Sequence, residues 1–171
     1  MNGVRWLTNA NEDVYTYYMP KTETESEARS PLPLLPCTCA NLRRAARVVT
    51  RLYNRALQSD GIEITQFTLL MALDQLGEIS QGELGEILAL DSTSLTRMLK
   101  LLKHHGWVHA KEGEDRRMRI FSLTKAGREK FQQSLRHWKQ AQEQLRTALG
   151  AKSTGELSAL LVEITRVSQE A

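Results

Sequence analysis

The sequence predicts a mainly α-helical fold with one small β-hairpin, and three observations predict it. Apolar residues recur at helical spacing through most of residues 37–168. The period shortens to two in one place, the paired runs Trp107–Glu112 and Met118–Leu123. All four prolines (Pro20, Pro31, Pro33 and Pro36) lie in the first 36 residues, so no later residue lacks a backbone donor.

With 171 residues the chain suits one domain with appendages, long enough to bury a real core. Its charge is uneven. Residues 1–36 hold three Lys/Arg against five Asp/Glu, whereas residues 37–171 hold twenty against fifteen. The basic part is therefore the folded part, which suits a polyanionic partner. No apolar run approaches membrane-spanning length, and the N-terminus lacks the basic-then-apolar layout of a secretory signal. A cytoplasmic protein with no membrane partner is expected. In that setting the two cysteines, Cys37 and Cys39, are expected as thiols rather than as a structural staple.

Residues 1–36 are expected as an unstructured arm, with Pro31, Pro33 and Pro36 favouring extended chain. Residues 37–60 form a first helix. Leu42, Ala45, Ala46, Val49, Leu52, Tyr53 and Ala56 make its apolar face, and Arg43, Arg44, Arg47, Arg51 and Arg55 dominate the other. Asp60-Gly61 is its stop. The arginine row is expected to be a solvated or interface face. Thr65 is the expected N-cap of the next helix, which carries Phe67, Leu70, Met71 and Leu73 and ends at Gly77.

A short extended piece, Glu78-Ile79, leads to Ser80-Gln-Gly-Glu83, a capping-box pattern in which hydroxyl and carboxylate satisfy each other's backbone N–H. Leu84, Ile87 and Leu88 give that helix an apolar face. A turn at Ala89-Leu90 reaches Asp91, the next N-cap. Gly85 is expected where the two helices cross most closely. From Asp91 to His105, Leu95, Met98, Leu99 and Leu102 form one apolar stripe. Thr93, Arg97, Lys100 and His104 lie opposite, with Ser92, Ser94 and Thr96 around the first turn. No acidic residue occurs between Ser92 and Lys111. Hydroxyls can meet base edges or phosphates and the cations can neutralise backbone charge, so this pair reads as a DNA-binding helix-turn-helix.

The two strand-like runs follow directly, joined by Gly113-Glu-Asp-Arg-Arg117. A hairpin in that place is the wing of a winged helix, able to push Arg116 or Arg117 into the minor groove. Residues 61–124 are thus expected as a winged helix-turn-helix domain. Thr124 should cap a long helix to about Leu149, with Phe131, Leu135, Trp138, Leu145 and Leu149 on a nearly heptad schedule. A second capping box, Ser153-Thr-Gly-Glu156, should open a terminal helix carrying Leu157, Leu160, Leu161, Ile164 and Val167. Apolar helices at 37–60 and 125–171 imply dimerisation regions and a homodimer.

These residues resemble the MarR family of winged-helix repressors. The likeness runs through Ile64-Thr-Gln-Phe-Thr-Leu-Leu-Met-Ala-Leu73, the helix pair, Leu99-Lys-Leu-Leu-Lys-His-His-Gly-Trp-Val108, Asp115-Arg-Arg117 and Leu123-Thr-Lys-Ala-Gly127. It implies a homodimer on pseudo-palindromic double-stranded DNA, released by a small ligand or an oxidant. It also implies that Asp115 pins the wing while Arg117, or Arg116 beside it, enters the minor groove. Cys39 with Tyr53 is similar to the organic-hydroperoxide-sensing branch, where a cysteine at the dimer interface is oxidised and tyrosines bond to it. A thiolate ahead of a helix is favoured by exposed N–H groups, and oxidation there adds a polar oxygen to a packed seam. Cys37 supplies a neighbouring thiol. Against oxidation stands release by an aromatic or phenolic ligand bound between the dimer helices and the helix pair.

Two other classes compete with this reading. A thiol-based redox enzyme would use Cys37 or Cys39 as nucleophile, but no base is placed to support it. His104, His105 and His109 belong to the DNA-facing segment and His137 to the long helix; none has the spacing of a metal site. No phosphate loop or dinucleotide fingerprint is present, so no catalytic residue or cofactor is expected. A winged-helix protein-interaction module without DNA binding would suit an acid-studded recognition helix, which this is not.

Overall fold

The computed structural model describes residues 36–113, 115 and 118–169. The expected arm, apart from Pro36, and the loop residues Arg116 and Arg117 lie outside the described residues. The chain separates into two compact units, Met1–Val48 and Val49–Ala171. The first contains the start of helix α1, Thr38–Leu57. The Asn41 N–H donates to the Cys37 carbonyl at 3.1 Å, so the helix begins directly after Cys37. Cys39 therefore sits inside the first turn rather than ahead of the helix, and both thiols are exposed.

In the second unit α1 tightens into a 3-10 turn, Gln58–Asp60, and Gly61 stops it in the left-handed region at φ 63°. Helix α2 spans Ile64–Leu76 with Glu63 as N-cap. Thr65 is not the cap. The extended backbone comes two residues earlier, where Gln66 Oε1 accepts from the Glu63 N–H and Asn54 Oδ1 from the Ile64 N–H. These side chains satisfy donors that an α-helix leaves unpaired at its start. Strand β1, Ile79–Ser80, follows. The short extended piece is therefore a third strand, antiparallel to the run Arg119–Leu123, with Ile79 opposite Phe121 and Ser80 opposite Ile120.

Helices α3 (Gln81–Leu88) and α4 (Ser92–His104) are the expected pair. Ser80 Oγ accepts from the Glu83 N–H at 3.2 Å, and Glu83 Oε2 accepts from the Ser80 N–H at 3.1 Å. Ala89 ends α3 at φ 50°, the one positive φ outside glycine among the described residues. A Cβ on Gly85 would stand 3.3 Å from the Leu90 carbonyl oxygen and 3.5 Å from Leu95, so the close approach is real. Gly106 reverses the chain after α4 at φ 71°. The Gly106 N–H meets the Lys103 carbonyl and the Trp107 N–H meets the Leu102 carbonyl, the Schellman pattern of a helix end.

Strands β2 (Val108–Glu112) and β3 (Arg119–Leu123) form the hairpin, and the sheet order is β1-β3-β2. One apolar core joins α2, α3, α4 and the sheet through Phe67, Leu70, Leu73, Leu84, Leu99 and Phe121. Helix α5, Lys125–Leu149, runs for the expected 25 residues. Phe67 packs on Phe131 and Trp138, with ring centroids 5.3 and 5.7 Å apart. Gly127, Ser134 and Ala141, seven residues apart, are all buried along α5. Gly127 is decisive, because a Cβ there would lie 2.0 Å from the Trp107 carbonyl oxygen. His137 Nδ1 meets the buried Asp60 carboxylate at 2.8 Å, and Lys130 donates to the Asp60 carbonyl at 2.8 Å. Asp60, expected only as a stop signal, thus anchors the end of α1 to α5.

Helix α6 runs Ala151–Gln169. Ser153 does not cap it. The break falls at Gly150, whose carbonyl accepts from both the N–H and the hydroxyl of Thr154, so Ser153 lies within the first turn. Leu160, Leu161 and Val162 are 59, 45 and 71% exposed, an apolar surface this single chain leaves open to water.

Gly127→Ala should cost about 3 kcal/mol in urea unfolding, because the added methyl overlaps backbone rather than a movable side chain. An unchanged midpoint would place α5 elsewhere. A second test uses charge. Bonds from Ser94, side chain first and then backbone, hold the Asp91 carboxyl below its ordinary 3.8, and bonds from Ser80 hold Glu83 below 4.5. With the folded value lower than the unfolded one, each group stabilises the fold above its unfolded value, and that stability is lost as pH falls through the folded value. Asp91→Ala should lower the urea midpoint at pH 7, and its gap from wild type should close below pH 3.8. A gap independent of pH would show that the carboxylate does not cap α4.

Candidate nucleic-acid interface

Helix α4 presents a surface because both of its ends and one of its sides are already committed. Asp91 Oδ1 accepts from the Thr93 and Ser94 N–H groups at 3.0 and 2.9 Å. Leu95, Leu99 and Leu102 are buried and Met98 is half-buried, as the stripe predicts. What remains outward is Ser92, Thr93, Thr96, Arg97 and Lys100, all exposed, with Ser94 half-buried at the edge. Arg97 and Lys100 form no ion pair among the described residues. The acid nearest in sequence, Asp91, accepts the bonds that cap α4, and Glu83 those that cap α3. The outer face of α4 thus keeps its cations out of ion pairs among the described residues, and the helix N-terminus adds its own positive end.

Thr96 differs from its neighbours. Its hydroxyl donates to the Ser92 carbonyl at 2.6 Å and accepts from Gln81 Nε2 at 2.7 Å. It ties α3 to α4 while remaining on the surface. On the same side lies a depression of about 300 Å³ lined by Gln81, Thr96, Lys100, Lys103 and Arg119, with Leu99 and Phe121 at its floor. Sequence reasoning missed Lys103 and Arg119 here. Lys103 was legible one turn beyond Lys100, but Arg119 reaches α4 only through the pairing of β3 with β1. A larger groove of about 690 Å³ runs beside α3 and the α3–α4 turn, between Gly82, Gly85, Glu86, Leu90 and Met118.

The hairpin is held to the body by Lys111, which pairs with Glu78 at 2.5 Å. Its loop is closed by the Gly113 N–H on the Met118 carbonyl and the Met118 N–H on the Asp115 carbonyl, at 2.9 and 2.8 Å. Asp115 is exposed at the tip, beside the loop positions of Arg116 and Arg117. In the first unit Cys37 and Cys39 are exposed. In the second, Tyr53 is buried, its hydroxyl donates to Gln142, and burial pushes its pKa above 10.0. Among the described residues no group of three or more His, Cys, Asp or Glu is placed to hold a metal ion. None of the helices described is long and apolar enough to cross a membrane.

Residues 62–118 match the family model described as the MarR family. The HTH-type transcriptional regulator YwoH of Bacillus subtilis is 29% identical over 92 residues, 54% of this chain and 67% of that protein. The organic hydroperoxide resistance transcriptional regulator of the same organism is 33% identical over 90 residues, 52% of this chain and 61% of its own length. The chain thus spans about three fifths to two thirds of these relatives. The transcriptional regulator MosR of M. tuberculosis, crystallised in complex with DNA, superposes with a TM-score of 0.72 at 27% identity, covering 78% of this chain and 97% of that one. An αα pair crossing at a glycine, a three-stranded sheet ending in a hairpin and this run of matches lead to one assignment: residues 62–118 form a winged helix-turn-helix that matches the MarR family.

Proposed function

We propose that this chain is a homodimeric, sequence-specific DNA-binding transcriptional regulator, acting as a repressor on a pseudo-palindromic operator. The observation that carries the reading is the outer face of α4: exposed hydroxyls, and cations with no ion pair among the described residues, on a helix whose other side is sealed in the core. A helix of that kind fits the major groove, where Ser92, Thr93 and Ser94 reach base edges and Arg97 and Lys100 neutralise phosphates. Asp115 with Arg116 and Arg117 forms the wing contact in the adjoining minor groove. The second copy supports the geometry by covering the open apolar surface of α6, and two subunits match two half-sites. Similarity to a regulator crystallised with DNA points the same way.

Release from DNA is assigned to oxidation at Cys39, with Cys37 beside it. Both thiols are exposed in the described structure, and a hydroperoxide-resistance regulator is among the relatives. The thiolate attacks the peroxide oxygen, an alcohol leaves and a sulfenic acid remains. Tyr53, bonded to Gln142 within its own chain, must change partner to take part. The second reading is release by a small aromatic ligand, favoured by the groove beside α3, whose filling would press on the α3–α4 turn.

Selection of bound duplexes from random DNA, repeated with a hydroperoxide and with salicylate-like acids, tests the whole proposal. One enriched palindrome is expected, and enrichment of no sequence ends the regulator reading. On that duplex Arg117→Ala should weaken binding and flatten the salt dependence by about one unit of slope for each subunit. Unchanged affinity and slope would remove the wing from the interface. Cys39→Ser should bind as wild type and stay bound in peroxide; continued release would transfer the effector role to a ligand.

A further inference from the structure

Beyond the outward row of α4, the depression on its flank has the chemistry of an anion site. Lys100, Lys103 and Arg119 stand around it, all exposed, and none of its lining residues is a carboxylate. Arg119 faces Glu112 across the β2–β3 ladder, yet the two form no ion pair among the described residues. Lys103 likewise has no ion-pair partner among them. The floor is rigid, since Leu99 and Phe121 are 2 and 4% exposed. The rim is fixed as well: the Gln81 amide is oriented by its bond to the Thr96 hydroxyl at 2.7 Å, which leaves its second N–H to donate outward.

We infer that this flank is a clamp for one backbone phosphate of duplex DNA, with Lys103 and Arg119 as its cations and Gln81 as a neutral donor. The inference rests on the DNA-binding reading and adds residues from three elements to it. The reason is dimensional. A helix with its side chains is about 10–12 Å across and the major groove about 12 Å wide. A helix seated there with one row on the bases brings its flanks against the phosphate ridges. Thr96 and Lys103 lie on the flank that turns toward β3. There the strand end supplies Arg119, and the start of α3 supplies Gln81. Cations not drawn into an ion pair stay available to a phosphate, and the contact carries no base information.

The test uses the full chain and the duplex it selects from random DNA. Lys103→Gln and Arg119→Gln should each weaken binding and flatten the log–log salt dependence by about one unit per subunit, with the preferred sequence unchanged. A set of duplexes carrying a single uncharged methylphosphonate should reveal one position in each half-site that weakens wild type but weakens the double variant no further. Circular dichroism and urea midpoints equal to wild type keep folding out of the comparison, and Arg119→Lys should recover most of the slope. If wild type binds and both variants keep its affinity and slope, or if the preferred bases change, the clamp is wrong while the regulator reading stands. If wild type selects no duplex, both fall together.

Discussion

The apolar seam of α4 is the constraint from which the rest follows. Leu95, Leu99 and Leu102 enter a core shared with Phe67, Leu73, Leu84 and Phe121. Side chains leave a helix in directions set by its geometry, so sealing this seam also decides what points away from it. Thr93, Arg97, Lys100 and His104 are outward because the leucines are inward. Hydrophobic burial, which has no regard for DNA, therefore aims the polar surface. The two ends complete the job: Asp91 holds the first turn and Gly106 turns the chain sharply into the sheet.

Electrostatic economy appears in the acids near this helix. Glu83 and Asp91 could have weakened the cationic surface, yet each accepts its bonds from a helix start. Glu78 pairs with Lys111 on the hairpin. These three carboxylates fix elements in place, and Arg97 and Lys100 form no ion pair among the described residues. The same packing logic governs α5, whose buried Gly127 allows backbone to lie on backbone at the start of the hairpin.

Much of this was legible in the sequence because periodicity reports burial directly. The stripe of α4, the capping box at Ser80, the crossing at Gly85 and the 25-residue span of α5 all appear as read. Features lasting only two residues, or depending on partners distant in sequence, did not. Ile79–Ser80 is too short to display a period, so its place in the sheet was hidden. Thr65 and Ser153 look like caps locally, but Asn54 with Gln66 in one case and Gly150 in the other moved the helix starts. Asp60 and His137 lie 77 positions apart, and neither residue type announces a buried pair by itself. Arg119 was hidden for a like reason, since only the fold carries β3 to the flank of α4.

The bond between Gln81 and Thr96 has a mechanical meaning. With the Thr96 hydroxyl held between that amide and the Ser92 carbonyl, the two helices of the reading unit are riveted on their exposed side as well as packed on their inner one. Such a unit moves as one stiff piece: a force applied elsewhere in the fold alters the distance and tilt at which the piece is presented, not the pose of α4 within it. Thr93 and Arg97 lie outside both of these bonds, so substitution there can change the chemistry of the outer face without loosening the rivet.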